Sequence, residues 1–290
     1  MKRIVLTLIF LGLSSFCAAA NLHSGSMVVT THPLYLIAQA VTKGVETPTL
    51  LLNPSQSGHD IQLRPQERQL IKQSNFVLWF GERYEAPLAK LLVGQPNAVA
   101  LFDLKAFQRL SMRDAQGKVL ANTLDPHLWL DPVNAIAIAH AIAAVRTQQY
   151  PQFAGQYKSN AEQFSRRLIK QMASVNKVVK RPADYWVYHD AYQYLEHTLN
   201  LRFKGALTVD HDLPPTIAQI QWLQKTRPMQ YGKPAPMCLL AESQVAMSTV
   251  QRLQPAVLQS VDETMLGEQD FVTAWGILAK QIIDCTQFSR

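Results

Sequence analysis

The stretch TQQYPQFAGQYKSNAEQFSRRLIKQMASVNKVVK, Thr147 to Lys180, decides the fold. Its proline (Pro151) and glycine (Gly155) stand near the beginning, and helix formers fill the rest. Phe153, Tyr157, Phe164, Leu168, Met172, Val175 and Val179 recur at spacings of three, four and seven, the stripe of one helical face. At 1.5 Å per residue, a helix of about 28 residues is about 40 Å long. That exceeds the width of one small domain, so the helix is expected to run across two.

Outward from it, strand and helix signals alternate on both sides. On the N-terminal side Met27–Thr31, Thr47–Leu52, Phe76–Phe80 and Val99–Phe102 read as strands, with helices at Leu34–Thr42, from Pro65 to Ser74, and after the Asp131-Pro132 cap. On the C-terminal side Tyr185–Tyr188, Phe203–Val209, Met237–Leu240 and Val257–Val261 read as strands. Helices are expected at His189–Leu199, after Pro214-Pro215, and at Phe271–Ile283. Alternation of this kind implies an α/β fold with mostly parallel sheets. The expectation is two Rossmann-like lobes, residues 21–146 and 182–290, joined by a long backbone helix over 147–181.

The chain has 290 residues, 28 Lys and Arg against 21 Asp and Glu, and three cysteines. Lys2-Arg3, the apolar run Ile4–Leu13 and the Ala18-Ala19-Ala20 end form a signal-peptide pattern over residues 1–20. The segment carries two cations and no acid, so its removal takes the formal charge from +7 to +5. The remaining cations form no run of five, which argues against a nucleic-acid patch. Phe16 is bulky where a lipid-attachment site takes a small residue, so Cys17 is expected to leave with the signal rather than carry a lipid. Cys238 and Cys285 then remain, an even pair that suggests a disulfide in an exported protein.

In open α/β sheets, ligands bind beyond the carboxyl ends of strands. Four such places carry candidate metal ligands: Gly58-His59-Asp60, Asp125-Pro126-His127, His189-Asp190 and Asp262-Glu263. Each half supplies two of them.

These residues also carry a resemblance. Leu51-Leu52-Asn53-Pro54 through Gly58-His59-Asp60-Ile61-Gln62-Leu63-Arg64-Pro65 resembles the first ligand loop of the metal-binding receptors of ABC importers, and most of all the periplasmic zinc-uptake, ZnuA-like, group. Asp125-Pro126-His127-Leu128-Trp129-Leu130-Asp131-Pro132 is similar to the second ligand motif, and Tyr188-His189-Asp190-Ala191-Tyr192 to the third. Leu240-Ala241-Glu242-Ser243-Gln244 and Val261-Asp262-Glu263-Thr264-Met265-Leu266-Gly267 resemble the last two landmarks. The match runs in order from about Val28 to the C-terminus.

The resemblance implies two α/β lobes around a long helix with a metal cleft between them. It implies a periplasmic solute-binding protein, not an enzyme, that delivers a divalent cation to an inner-membrane ABC permease and works as a monomer. His59, His127 and His189 fall on its ligand positions, and Asp262 on its carboxylate position. Asp60 and Asp190 could orient imidazoles from behind, and Glu242 could line the cleft. Two departures stand out: Phe107–Thr123 holds no histidine where zinc receptors often carry a His-rich acidic loop, and Ser243 stands where proline is usual.

Three imidazoles and a carboxylate suit Zn²⁺. Manganese sites favour more carboxylate, and manganese relatives place Glu where this chain has His189. Affinity should fall on acidification, because the ligands must be deprotonated. The alternatives are a manganese or iron receptor, a zinc hydrolase (though no His-Glu-x-x-His motif is present), and an adhesin or metal chaperone on the same scaffold. Of the other histidines, His32 could approach the cleft, while His23, His140, His197 and His211 read as surface or packing residues.

Overall fold

The computed structural model describes residues 27–56, 58, 61–179, 181–209, 213–242 and 245–288. The signal-peptide segment with Cys17, and His23, His59, Asp60, His211 and Ser243, lie outside them.

The first lobe runs β1 (Met27–Val29), α1 (His32–Thr42), β2 (Thr49–Leu50), α2 (Pro65–Gln73), β3 (Phe76–Trp79), α3 (Ala89–Leu92), β4 (Ala98–Ala100) and α4 (Pro132–Gln149). The spine α5 (Ala154–Val178) follows. The second lobe runs β5 (Ala183–Val187), α6 (Glu196–Leu199), β6 (Leu201–Ala206), α7 (Ile217–Lys225), the hairpin β7–β8 (Met229–Gln230, Lys233–Pro234), β9 (Met237–Ala241), α8 (Met247–Arg252), β10 (Ala256–Ser260) and α9 (Phe271–Phe288). One four-stranded sheet has the order β2-β1-β3-β4 and the other β10-β9-β5-β6, and every neighbouring pair in both is parallel. Numbered within its own half, each sheet is wound in the same order. Each therefore reverses strand order between its first and third strands, where a crevice opens at the carboxyl ends.

Local chemistry starts the helices. Asp131 Oδ1 accepts the Val133 amide at 2.8 Å with Pro132 in the first turn of α4. Glu67 reaches back to the Arg64 amide at 2.7 Å at the start of α2. Thr216 Oγ1 accepts the Gln219 amide ahead of α7. Phe76–Trp79 is buried along its whole length, as a central parallel strand must be.

The spine departs from its expected extent. Thr147–Gln149 end α4, a single 3₁₀ turn covers Pro151–Phe153, and α5 begins at Ala154. Pro151 has no amide hydrogen and disfavours helical geometry at Tyr150, which sits at φ −136°, ψ 73°. The 25 residues of α5 span about 37 Å. Tyr157, Phe164, Leu168 and Val175 of the stripe are buried, whereas Phe153 is exposed. One continuous apolar core joins Ile37, Trp129 and Ile142 of the first half to Phe164 and Leu168 of α5 and to Tyr185, Phe271 and Trp275 of the second. Smaller clusters cover the outer face of each sheet.

Further elements differ. The helix expected over His189–Leu199 is only a 3₁₀ turn at Gln193–Leu195 and one α-turn, because Asp190 and Tyr192 are drawn into long-range contacts. The β7–β8 hairpin and α8 have no counterpart in the sequence reading. Cys238 of β9 and Cys285 of α9 form a disulfide, fastening the last helix to the sheet. Among the described residues no helix is long and apolar enough to cross a membrane.

Candidate metal centre

The two crevices face each other. His127, in the turn before α4, and His189, directly after β5, bring their ring centroids to 5.6 Å. Both are buried. Each has a carboxylate behind its Nδ1: Asp125 Oδ1 stands 2.8 Å from His127 Nδ1, and Glu242 Oε1 stands 2.9 Å from His189 Nδ1. A carboxylate at Nδ1 holds the proton there, fixes the ring plane, and makes Nε2 the nitrogen a cation would take.

The sequence placed this backing role on Asp60 and Asp190. Asp190 instead forks onto Arg113 at 2.7 Å and 2.7 Å, and Asp60 lies outside the described residues. The signal for Asp125 was present: with Pro126 between, an aspartate two residues ahead of His127 folds back to bond both its amide (3.0 Å) and its ring.

The 261–266 turn forms the opposite wall. The Asp262 carboxylate caps its own turn, accepting Thr264 N at 2.8 Å, Thr264 Oγ1 at 2.6 Å and Leu266 N at 2.9 Å. It is the next residue, Glu263, whose side chain is buried in the cleft, at 2 % exposure and within hydrogen-bond reach of Glu242. Its Oε2 is buried with no protein partner among the described residues. First-lobe groups grip the same turn: His32 Nδ1 donates to the Thr264 carbonyl at 2.9 Å, and Trp129 Nε1 to the Glu263 carbonyl at 3.1 Å. His32 thus approaches the cleft as expected, as a tether. His140 hydrogen-bonds Ser165 on the spine, and His197 is exposed.

Tyr84 closes the floor, its ring 6.2 Å from His127 and 5.1 Å from Trp129. The Gly58 amide donates to its hydroxyl, and a Cβ at Gly58 would lie 2.3 Å from the ring, so only glycine fits there. The loop that carries His59 is anchored on that ring one residue earlier. Sequence reasoning passed over Tyr84 and Arg113, because nothing local marks a residue whose role comes from the opposite lobe; it named Glu263 beside Asp262 but gave the ligand position to Asp262.

The electrostatics favour a cation. Burial pushes the Asp125 carboxyl up to about 7, opposed by the His127 amide and by Arg113. Burial pushes Glu242 to about 8, and burial with Glu242 nearby raises Glu263 well above the carboxylate range. Desolvation makes negative charge costly on these three carboxyls, and a positive ion among them would offset that cost. Among the described residues no three His, Cys, Asp or Glu side chains already converge as an ion-binding cluster.

Residues 27–275 match the family described as zinc-uptake complex component A, periplasmic. The chain belongs to the ZnuA family. A relative, the high-affinity zinc uptake system protein ZnuA of Brucella abortus, is 29% identical over 253 residues, covering 72% of this chain and 75% of that one. A crystal structure of ZnuA superposes with a TM-score of 0.73 at 17% identity, over 90% of this chain and 99% of that one. The binding protein FpvC from Pseudomonas aeruginosa, solved with Mn²⁺, superposes with a TM-score of 0.74 at 15% identity, over 91% and 98%. ZnuA-family proteins are substrate-binding receptors of metal import, so the protein is a receptor and not an enzyme.

Proposed function

We propose that this receptor captures one Zn²⁺ between its lobes in the periplasm and passes it, as a monomer, to an inner-membrane ABC permease. Residues 1–20 act as the export signal, 21–146 and 182–290 as the two lobes, and 147–181 as their link. His59, His127 and His189 hold the ion, with a carboxylate from the Asp262-Glu263 pair as the fourth ligand. The observation that carries this reading is the pair of histidines on opposite lobes, each backed by a carboxylate and 5.6 Å apart. Asp262 joins the ion only by giving up its turn bonds, whereas Glu263 offers Oε2, which has no protein partner among the described residues.

Titration calorimetry on metal-stripped protein tests the reading. One zinc per chain is expected, lost in the combined His59→Ala, His127→Ala, His189→Ala variant; no heat, or binding indifferent to that variant, overturns it. Asp262→Asn beside Glu263→Gln tells which carboxylate ligates. One observation favours Mn²⁺ as a second cargo: Glu242 and Glu263 put two carboxyls beside His189, and manganese prefers oxygen. Displacement of bound Mn²⁺ by equimolar Zn²⁺ is expected, and the reverse result would make manganese the cargo.

A further inference from the structure

The histidine-free segment before the second motif is bound tightly at both ends. On the first lobe, Gln108 exchanges hydrogen bonds with Asn134 of α4 at 2.8 and 2.9 Å, and the Leu110 carbonyl accepts the Asp125 amide. Beyond that anchor the chain folds into a small hairpin, bridged at Arg113 and Val119. The hairpin crosses to the second lobe. Its Ala115 carbonyl accepts the Ala206 amide at the open edge of β6 and the Gln219 side chain. The Tyr194 hydroxyl binds the Leu110 amide at 3.0 Å and the Asp125 carbonyl at 3.2 Å.

Arg113 is the centre of the crossing. Its side chain is 9 % exposed, forks onto Asp190 and contacts Glu196 at 2.7 Å. Its guanidinium lies 4.1 Å from the Phe203 ring centroid. Asp190 follows His189 directly, and at the base of the hairpin the Leu110 carbonyl accepts the amide of Asp125, the carboxylate behind His127. The first-lobe hairpin therefore engages both ligand loops from behind, the second-lobe one through Arg113. A planar guanidinium holding two carboxylates fixes orientation as well as distance.

We propose that the Leu110–Leu124 hairpin is a strap that holds the lobes at their metal-binding separation, with Arg113 as the positioning residue that sets His189 against His127 before an ion arrives. This rests on the proposed metal site, but the strap itself can be read without metal. Spin labels at the exposed positions Lys72 and Lys225, one per lobe, report the lobe separation; attachment through an introduced keto residue leaves the native cysteines untouched.

The unaltered protein is expected to give one narrow distance, the same with and without zinc. Arg113→Met combined with Asp190→Asn and Glu196→Gln, which avoids stranding either partner's charge, is expected to broaden it in the metal-free state and to weaken zinc binding about 10- to 100-fold. Should that combination fail to fold, Gly117→Ala serves: Gly117 has φ +91° and a Cβ there would press on Phe203 at 3.2 Å, lifting the hairpin tip without touching a charge. The same broadening is expected, to a lesser degree. A narrow distance with unaltered zinc affinity in the variants overturns the strap, as does a broad distance in the unaltered metal-free protein. Absence of zinc binding by the unaltered protein with its narrow distance intact would instead overturn the metal reading alone.

Discussion

A histidine in a sequence says nothing about which nitrogen it offers; its neighbours settle that. For His127 the neighbour is Asp125, and the Asp-Pro-His spacing made the pairing legible in principle. For His189 it is Glu242, 53 positions away in sequence, and only the pairing of β5 with β9 brings the two together. Asp125→Asn is expected to weaken metal binding about 10- to 100-fold while leaving the circular dichroism spectrum unchanged, read by competition with a chromophoric chelator. Glu85 shows a second effect of burial at this scale. Desolvation pushes its carboxyl from 4.5 to about 7, although the Phe80 and Gly81 amides bond it at 2.7 and 3.2 Å. Between those values the folded chain keeps a proton that the unfolded chain has lost. That contribution to stability is therefore complete below about pH 4.5 and gone above about pH 7. Glu85→Gln should flatten this loss, by roughly 3 kcal/mol at most, so urea midpoints of variant and parent should differ more favourably for the variant at pH 8 than at pH 4.5.

Among the elements, those set by local chemistry were legible and those set by distant partners were not. The Asp131-Pro132 start of α4 and the apolar run of β3 are where the sequence puts them. The spine's stripe is also correct from Tyr157 onward, but its start is displaced to Ala154 by Pro151. The segment after His189 fails as a helix because its side chains serve the cleft and the strap. Leu168 is fully buried on the spine, and Leu168→Ala should cost about 2–5 kcal/mol in chemical denaturation. The Cys238–Cys285 link closes a sequence separation of 47. Chain-entropy reasoning gives about 4 kcal/mol for a loop of that length. Cys238→Ser with Cys285→Ser should lower unfolding stability by up to that amount, and reductant should then have no further effect.

At the level of the whole molecule, alternating strands and helices around a long helix revealed two lobes. They did not reveal that both sheets share one winding order, nor that a single apolar interior passes through lobes and spine alike. Facing contacts between halves leave no periodicity in either half. Because the interior is shared, calorimetry should give one unfolding transition rather than two. Excess zinc at about 100 times its dissociation constant should stabilise it by about 2.7 kcal/mol, and a chelator should reverse the shift.

The shared interior has a consequence for selectivity. The His127 ring leans on Trp129, with centroids 5.5 Å apart, and Trp129 shares one apolar interior with Phe164, Phe271 and Trp275. A close-packed interior transmits small changes of volume rather than absorbing them. On the proposed metal reading, the core is expected to act as a gauge block, with the ion radius the cleft accepts machined in part into side chains that are not themselves ligands.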